Sequence, residues 1–175
     1  MKAILKDVLA PNLSVVFCGT AVGTASARRR AYYAGPGNAF WKTLFEVGLT
    51  PTRFEPEQYE NVLPVGLGLT DLAKIISGRD RVLSKSHFDR EDLRRKILKF
   101  RPRIVAFVGK RAAEEFLRTA VGYGLLREKI GDSMLFVLPS PSGAARRFWN
   151  IQFWRDLAHL MNSMGTPTHQ SETDG

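Results

Sequence analysis

The stretch from Ser14 to Trp41, SVVFCGTAVGTASARRRAYYAGPGNAFW, constrains the chain more than any other. Val15-Val16-Phe17-Cys18 is the short apolar run that a fully buried strand needs. Gly19 and Gly23 bracket a tight loop behind it, followed by Arg28-Arg29-Arg30 and the pair Tyr32-Tyr33. Gly37-Asn38-Ala39-Phe40-Trp41 then opens a helix. A strand followed at once by glycines, cations and aromatics predicts a pocket at the carboxyl end of that strand, where open α/β sheets place their ligands.

The rest of the chain supplies scaffold for this loop. Residues 1–10 read as a short lead-in helix broken by Pro11, and the first strand spans about 14–18. Apolar residues at Phe40, Trp41, Leu44, Phe45 and Val47 predict a helix over about 37–48, ended by Gly48 and Pro51. A short helix is expected from Thr70, as N-cap, to near Gly78. Residues 89–99 form a helix with acids first and cations last, matching the macrodipole. Buried strands follow at 103–108 and 134–138, with helices over about 110–120 and 148–163, and a fourth strand falls near 62–65.

Apolar strands alternating with helices predict an α/β fold, a three-layer αβα sandwich on a short, mostly parallel sheet of about four strands. The loops at 19–23, 109–110 and 139–143 then share one sheet edge, which is the expected site. A single domain is expected over 1–164, with a disordered polar tail at 165–175.

Charge limits the partner. The 26 Lys and Arg face 17 acids, a net charge of +9. Glu172 and Asp174 lie in the tail, so residues 1–164 carry 26 cations against 15 acids, a net +11. Such a body favours a polyanion, because neutralising phosphates releases counterions; a merely basic enzyme is the alternative. The single cysteine, Cys18, rules out an internal disulfide and reads as a buried thiol. No apolar run reaches membrane-spanning length, and the N-terminus lacks the pattern of a signal peptide, so a cytoplasmic, intracellular location is expected. His87, His159 and His169 lack metal-ligand spacing, and no metal or cofactor is assigned.

Taken alone, Gly19-Thr20-Ala21-Val22-Gly23 is neither a dinucleotide fingerprint nor a phosphate-binding Walker loop. The whole chain, however, resembles the uracil-DNA glycosylase superfamily, in particular its mismatch-specific uracil- and thymine-DNA glycosylases. Four segments carry the resemblance in the right order: Tyr33-Ala34-Gly35-Pro36-Gly37-Asn38-Ala39-Phe40-Trp41, Gly68-Leu69-Thr70-Asp71-Leu72, Phe107-Val108-Gly109-Lys110 and Leu138-Pro139-Ser140-Pro141-Ser142-Gly143. The resemblance implies a DNA-binding, base-excising monomer that hydrolyses the bond between a flipped uracil, or a related deaminated base, and its sugar.

The departure from that family lies in the first loop. Its members read Gly-Ile-Asn-Pro-Gly there, with an asparagine that positions the attacking water; this chain has Ala21 at that place. Cleaving an N-glycosidic bond builds positive charge on the sugar, so a nearby carboxylate both stabilises that charge and activates water. Asp71 is the one acid within a matched pocket segment and is the expected substitute; its alternative role is to sit in the first turn of the 70–77 helix. The resemblance further implies base contacts from Gly19, Thr20, Ala21, Gly23, Tyr33 (as stacking platform) and Asn38, whose alternative role is to buttress the loop. It implies DNA contacts from Arg28, Arg29, Arg30, Lys110, Ser140, Ser142 and Gly143. Arg146 or Arg147 is expected to fill the gap left by the flipped base. A silent binder of damaged or mismatched DNA is the reading of a different class.

Overall fold

The structure is a computed structural model and describes residues 2–77 and 88–165. Five strands form one sheet in the order β2-β1-β3-β5-β4, where β1 is Val15–Val22, β2 Leu67–Ser77, β3 Ile104–Val108, β4 Gly124–Ile130 and β5 Ser133–Leu138. The first four in that order run parallel; β4 alone is antiparallel, paired to β5 at the edge.

Strand alternation sorts the core into two layers. Val15 and Phe17 of β1, Ile104 and Ala106 of β3, and Phe136 and Leu138 of β5 face one side. There they meet Phe40, Trp41 and Leu44 of α2 (Phe40–Glu46) and Trp154, Leu157 and Ala158 of α5 (Ile151–Ser163). Cys18, Val105, Phe107, Leu135 and Val137 face the other side. They meet Leu93 and Ile97 of α3 (Arg90–Phe100) and Ala112, Ala113 and Phe116 of α4 (Lys110–Leu117). The expected αβα sandwich is present, with five strands where about four were expected.

Four local expectations are corrected. The 70–77 segment is not a helix but most of β2, because Leu67 to Ala73 pair residue by residue with the buried β1. Parallel pairing to a central strand outweighs the weak helix signal of a capping threonine. Residues 62–65 are not strand; they end a 3-10 segment, Pro56–Val65, closed by Gly66. Residues 1–10 form no helix in the described part. Val8 instead bridges Leu69 antiparallel, and the Ile4 amide donates to the Lys74 carbonyl at 2.9 Å, so this segment covers the edge of β2. Gly68 permits that approach, since a Cβ there would sit 2.7 Å from the Val8 carbonyl oxygen. Finally, 19–22 is not a loop: pairing with β2 carries β1 on to Val22, and α1 (Thr24–Arg29) starts straight after Gly23.

β4 was absent from the expectation because its sequence, Gly-Leu-Leu-Arg-Glu-Lys-Ile, is half solvated and carries three consecutive charges. Of the expected tail, 165–175, residues 166–175 lie outside the described residues.

Candidate active site

The chain leaves β1 for β2 on one side and continues to β3 on the other. A ligand crevice is expected where the strand order reverses, at the carboxyl ends of β1 and β3. A cavity of about 850 Å³ lies there, walled by the end of β1, the 33–38 loop, Val108 of β3 and the 140–145 segment. It gathers Gly19, Thr20, Ala21, Gly23, Arg28, Tyr33, Asn38, Asp71, Ser140, Ser142 and Gly143.

Register sets the floor. Gly19 lies beside Asp71 and Ala21 beside Ala73; then Val22 pairs with Ser77, so Lys74, Ile75 and Ile76 bulge out of the ladder. Gly19 carries no side chain where Asp71 needs room: a Cβ at Gly19 would sit 2.8 Å from Asp71 Oδ1. The bulge turns Lys74 back under the site. Its ammonium lies 2.9 Å from Asp7 Oδ1, donates to the Tyr32 hydroxyl at 3.0 Å, and sits 3.5 Å from Asp71 Oδ2.

Asp71 is 4% exposed, and its Oδ2 makes no hydrogen bond. The 3.5 Å separation from Lys74 is therefore an ion pair without hydrogen-bond geometry. Burial pushes the Asp71 pKa up, Lys74 opposes the rise and Asp7 adds to it, for a value of about 6. A carboxylate in this state is ionised at neutral pH yet basic enough to take a proton from water.

Tyr33 forms the wall above it. Its backbone is left-handed, with φ at 53°, a costly conformation for an aromatic residue and one that recurs at functional sites. The ring stacks on Phe40 at a centroid distance of 3.8 Å, and the buried hydroxyl has no hydrogen-bond partner. Burial and the Asp71 charge push its pKa far up, so it stays protonated. Neighbouring bonds hold the loop: the Ala34 amide donates to Ser26 Oγ at 2.9 Å, and Trp41 Nε1 donates to the Tyr32 carbonyl at 2.9 Å. Asn38 Oδ1 accepts from the Phe40 amide at 3.0 Å, which opens α2 and buttresses the loop.

The opposite rim is tied to this wall, because the Ala39 amide donates to the Pro141 carbonyl at 2.9 Å. Ser140 Oγ accepts from the Ser142 amide and Ser142 Oγ from the Ala144 amide, each at 3.3 Å. Arg146 lies over Gly37, its Nη2 2.8 Å from where a Cβ would be. Arg147 stacks instead on Phe148, which is 55% exposed.

The cations do not act as one group. Arg28 lines the cavity. Arg29 is bound to Glu57 at 2.6 Å and to the Ala34 carbonyl at 2.9 Å, so it braces the loop. Arg30 is exposed, and Lys110 lies over the Tyr123 ring at 4.5 Å, outside the cavity lining. Arg146 and Arg147 are also outside the lining. Sequence reasoning missed Lys74 and Asp7; the i, i+3 spacing of Asp71 and Lys74 was an available signal for the first, and nothing local pointed to Asp7. Cys18 is buried beneath, and burial pushes its thiol pKa well up. Among the described residues no group of three or more His, Cys, Asp or Glu could hold a metal ion, and no helix is long and apolar enough to cross a membrane. His159 is exposed on α5; His87 and His169 lie outside the described residues.

The family model of the uracil DNA glycosylase superfamily matches residues 6–158, which includes every wall of this cavity. The chain belongs to that superfamily. Its fold is similar to the solution NMR structure of a Methanosarcina acetivorans protein provisionally described as a uracil DNA glycosylase. The TM-score is 0.63 at 23% identity, covering 94% of this chain and 98% of that one. At that identity the likeness shows the fold, and the site chemistry rests on this chain's own residues.

Proposed function

We propose that the protein is a monofunctional DNA glycosylase that hydrolyses the N-glycosidic bond of uracil, or a related deaminated base, after flipping it out of DNA. Membership of the superfamily supports the reaction class, and the net +9 charge supports a DNA substrate. The observation that carries the mechanism is the buried Asp71 carboxylate at the floor of the cavity, with one oxygen lacking any hydrogen-bond partner.

The steps follow from its chemistry. The base leaves with the bonding electron pair as the sugar becomes oxocarbenium-like, and the Asp71 carboxylate stabilises that cation. Asp71 takes one proton from a water as its oxygen bonds to the sugar carbon, so Ala21 need position nothing. Tyr33, held by Phe40, bounds the pocket for the extruded base, and Asn38 buttresses it. Gly19, Thr20 and Gly23 offer backbone amides to the base or the water. Arg28 and Arg30, with Ser140, Ser142 and Gly143, grip phosphates along the mouth. Arg146, lying over the rim at Gly37, fills the vacated stack. The protein acts as a monomer and falls in the mismatch-specific branch, with a pocket changed at position 21.

A second reading, a silent binder of damaged DNA, rests on Ala21 alone. Incubating the protein with oligonucleotides carrying uracil, hypoxanthine, xanthine or a thymine mismatch, followed by alkali, separates the two. Strand breaks at one of these bases support the glycosylase; intact strands throughout, with binding retained, support the silent binder.

A further inference from the structure

A partly buried row of charges runs from the surface of α3 to the floor of the cavity. Lys96 of α3 pairs with Asp7 at 2.7 Å and also with Asp92. Asp7 accepts from the Thr70 hydroxyl at 2.7 Å and pairs with Lys74 at 2.9 Å, and Lys74 faces Asp71 at 3.5 Å. Lys74 is largely buried, donates to the Tyr32 hydroxyl, pairs with Asp7 and faces Asp71 across 3.5 Å. The Tyr32 hydroxyl donates onward to the Lys6 carbonyl at 3.1 Å, and Asp7 is held by Thr70 and Lys96, so these two anchors of Lys74 are themselves fixed. Withdrawing two ion pairs largely from water is costly and gives little net stability, so the arrangement calls for another reason.

Resting on the glycosylase reading, we propose that Lys74 and Asp7 are positioning residues that set the ionisation of Asp71: Lys74 keeps it charged, and Asp7 fixes Lys74 and limits its pull. The geometry supports this division. Lys74 is the cation nearest the carboxylate and reaches it only because the β2 bulge folds it back beneath the strand. The other titratable groups around Asp71 are Tyr32, Tyr33 and Cys18, whose raised pKa values keep them neutral across the working range. Lys96 and Asp92 lie one layer further out, and Asp7 stays paired with Lys96 when Lys74 is neutralised. Without Lys74, burial acts on Asp71 unopposed except by neutral hydroxyls, and the carboxylate holds its proton to higher pH.

The test is the acidic limb of the pH-rate profile, measured as single-turnover base release. Lys74→Met should move that limb up by about one unit or more, which lowers the rate at pH 6 about fivefold and leaves the rate at pH 9 unchanged. Lys74→Arg should restore the original limb. Asp7→Asn should move it the other way, to lower pH, because it removes a neighbouring negative charge and leaves Lys74 to Asp71; damage to the fold would not reverse sign. Carbon-detected NMR titration of the Asp71 carboxyl in the full chain reads the same shifts without any substrate. Equal titration of Asp71 in the intact protein, Lys74→Met and Asp7→Asn would overturn the inference. If those shifts appear while Asp71→Asn keeps full activity, the inference stands and the catalytic reading fails.

Discussion

Gly19 and Asp71 are lateral neighbours in adjacent parallel strands, and a Cβ on Gly19 would fall 2.8 Å from Asp71 Oδ1 and 3.4 Å from the Tyr33 hydroxyl. The buried, unpartnered Tyr33 hydroxyl and the Asp71 carboxylate, through its Oδ1, thus both crowd the one residue that leaves them space, while Oδ2 faces Lys74. Gly19→Ala is expected to overpack this point. It should cost about 1–3 kcal/mol of stability and lower base release at least about tenfold by displacing the carboxylate. Thermal unfolding and a rate on the same preparation check both.

Asp71→Asn should separate activity from stability. The folded-state pKa of about 6 lies above the ordinary aspartate value of 3.8, so the native state holds the proton more tightly than the unfolded chain does. The resulting cost to stability is absent below about pH 4, grows as pH rises, and is complete above about pH 6. Removing the charge should therefore stabilise the protein at pH 7, by up to about 3 kcal/mol, and leave it unchanged at pH 4. Lys74 keeps Asp7 as its partner in the variant. Base release should fall by about 10²-fold or more, as expected for a lost general base. Denaturant titrations at pH 4 and pH 7 test the first part.

Arg28 and Arg29 are adjacent in sequence and should behave differently. Arg28→Ala removes a cation from the mouth, so DNA affinity should fall and the salt dependence should shallow by about one counterion. Arg29 is already committed to Glu57 and the Ala34 carbonyl, so Arg29→Ala should leave the salt slope nearly unchanged. Binding isotherms at several salt concentrations distinguish them.

Ser26→Ala should loosen the Tyr33 wall. Ser26 is 5% exposed and accepts the Ala34 amide proton, which would be left buried and unpaired. A loss of about 1–3 kcal/mol is expected, with faster amide exchange over 31–38. Hydrogen exchange measured residue by residue reads it.

How far the sequence revealed this site depended on the element. Val15 to Cys18, Ile104 to Val108 and Met134 to Leu138 are short apolar runs, and central parallel strands are written in no other way, so the sheet and its loaded edge were legible. Asp71 was legible as a pocket residue yet placed on the wrong element, since Thr70-Asp71 imitates a helix start while the pairing with β1 makes it strand. The Asp7–Lys74 pair was not legible at all. It joins residues far apart in the chain through a bulge, and a bulge depends on register, which no local pattern encodes.

The central claim is that Asp71 performs the chemistry that Ala21 cannot. Single-turnover release of uracil from a labelled oligonucleotide, by the intact protein and by Asp71→Asn, measured from pH 5 to pH 9, tests it most directly. The account expects release by the intact protein that declines below about pH 6 as the carboxylate takes its proton, and a residual, pH-independent rate about 10²-fold lower or less in Asp71→Asn. Full activity in Asp71→Asn, with the acidic decline still present, would contradict it.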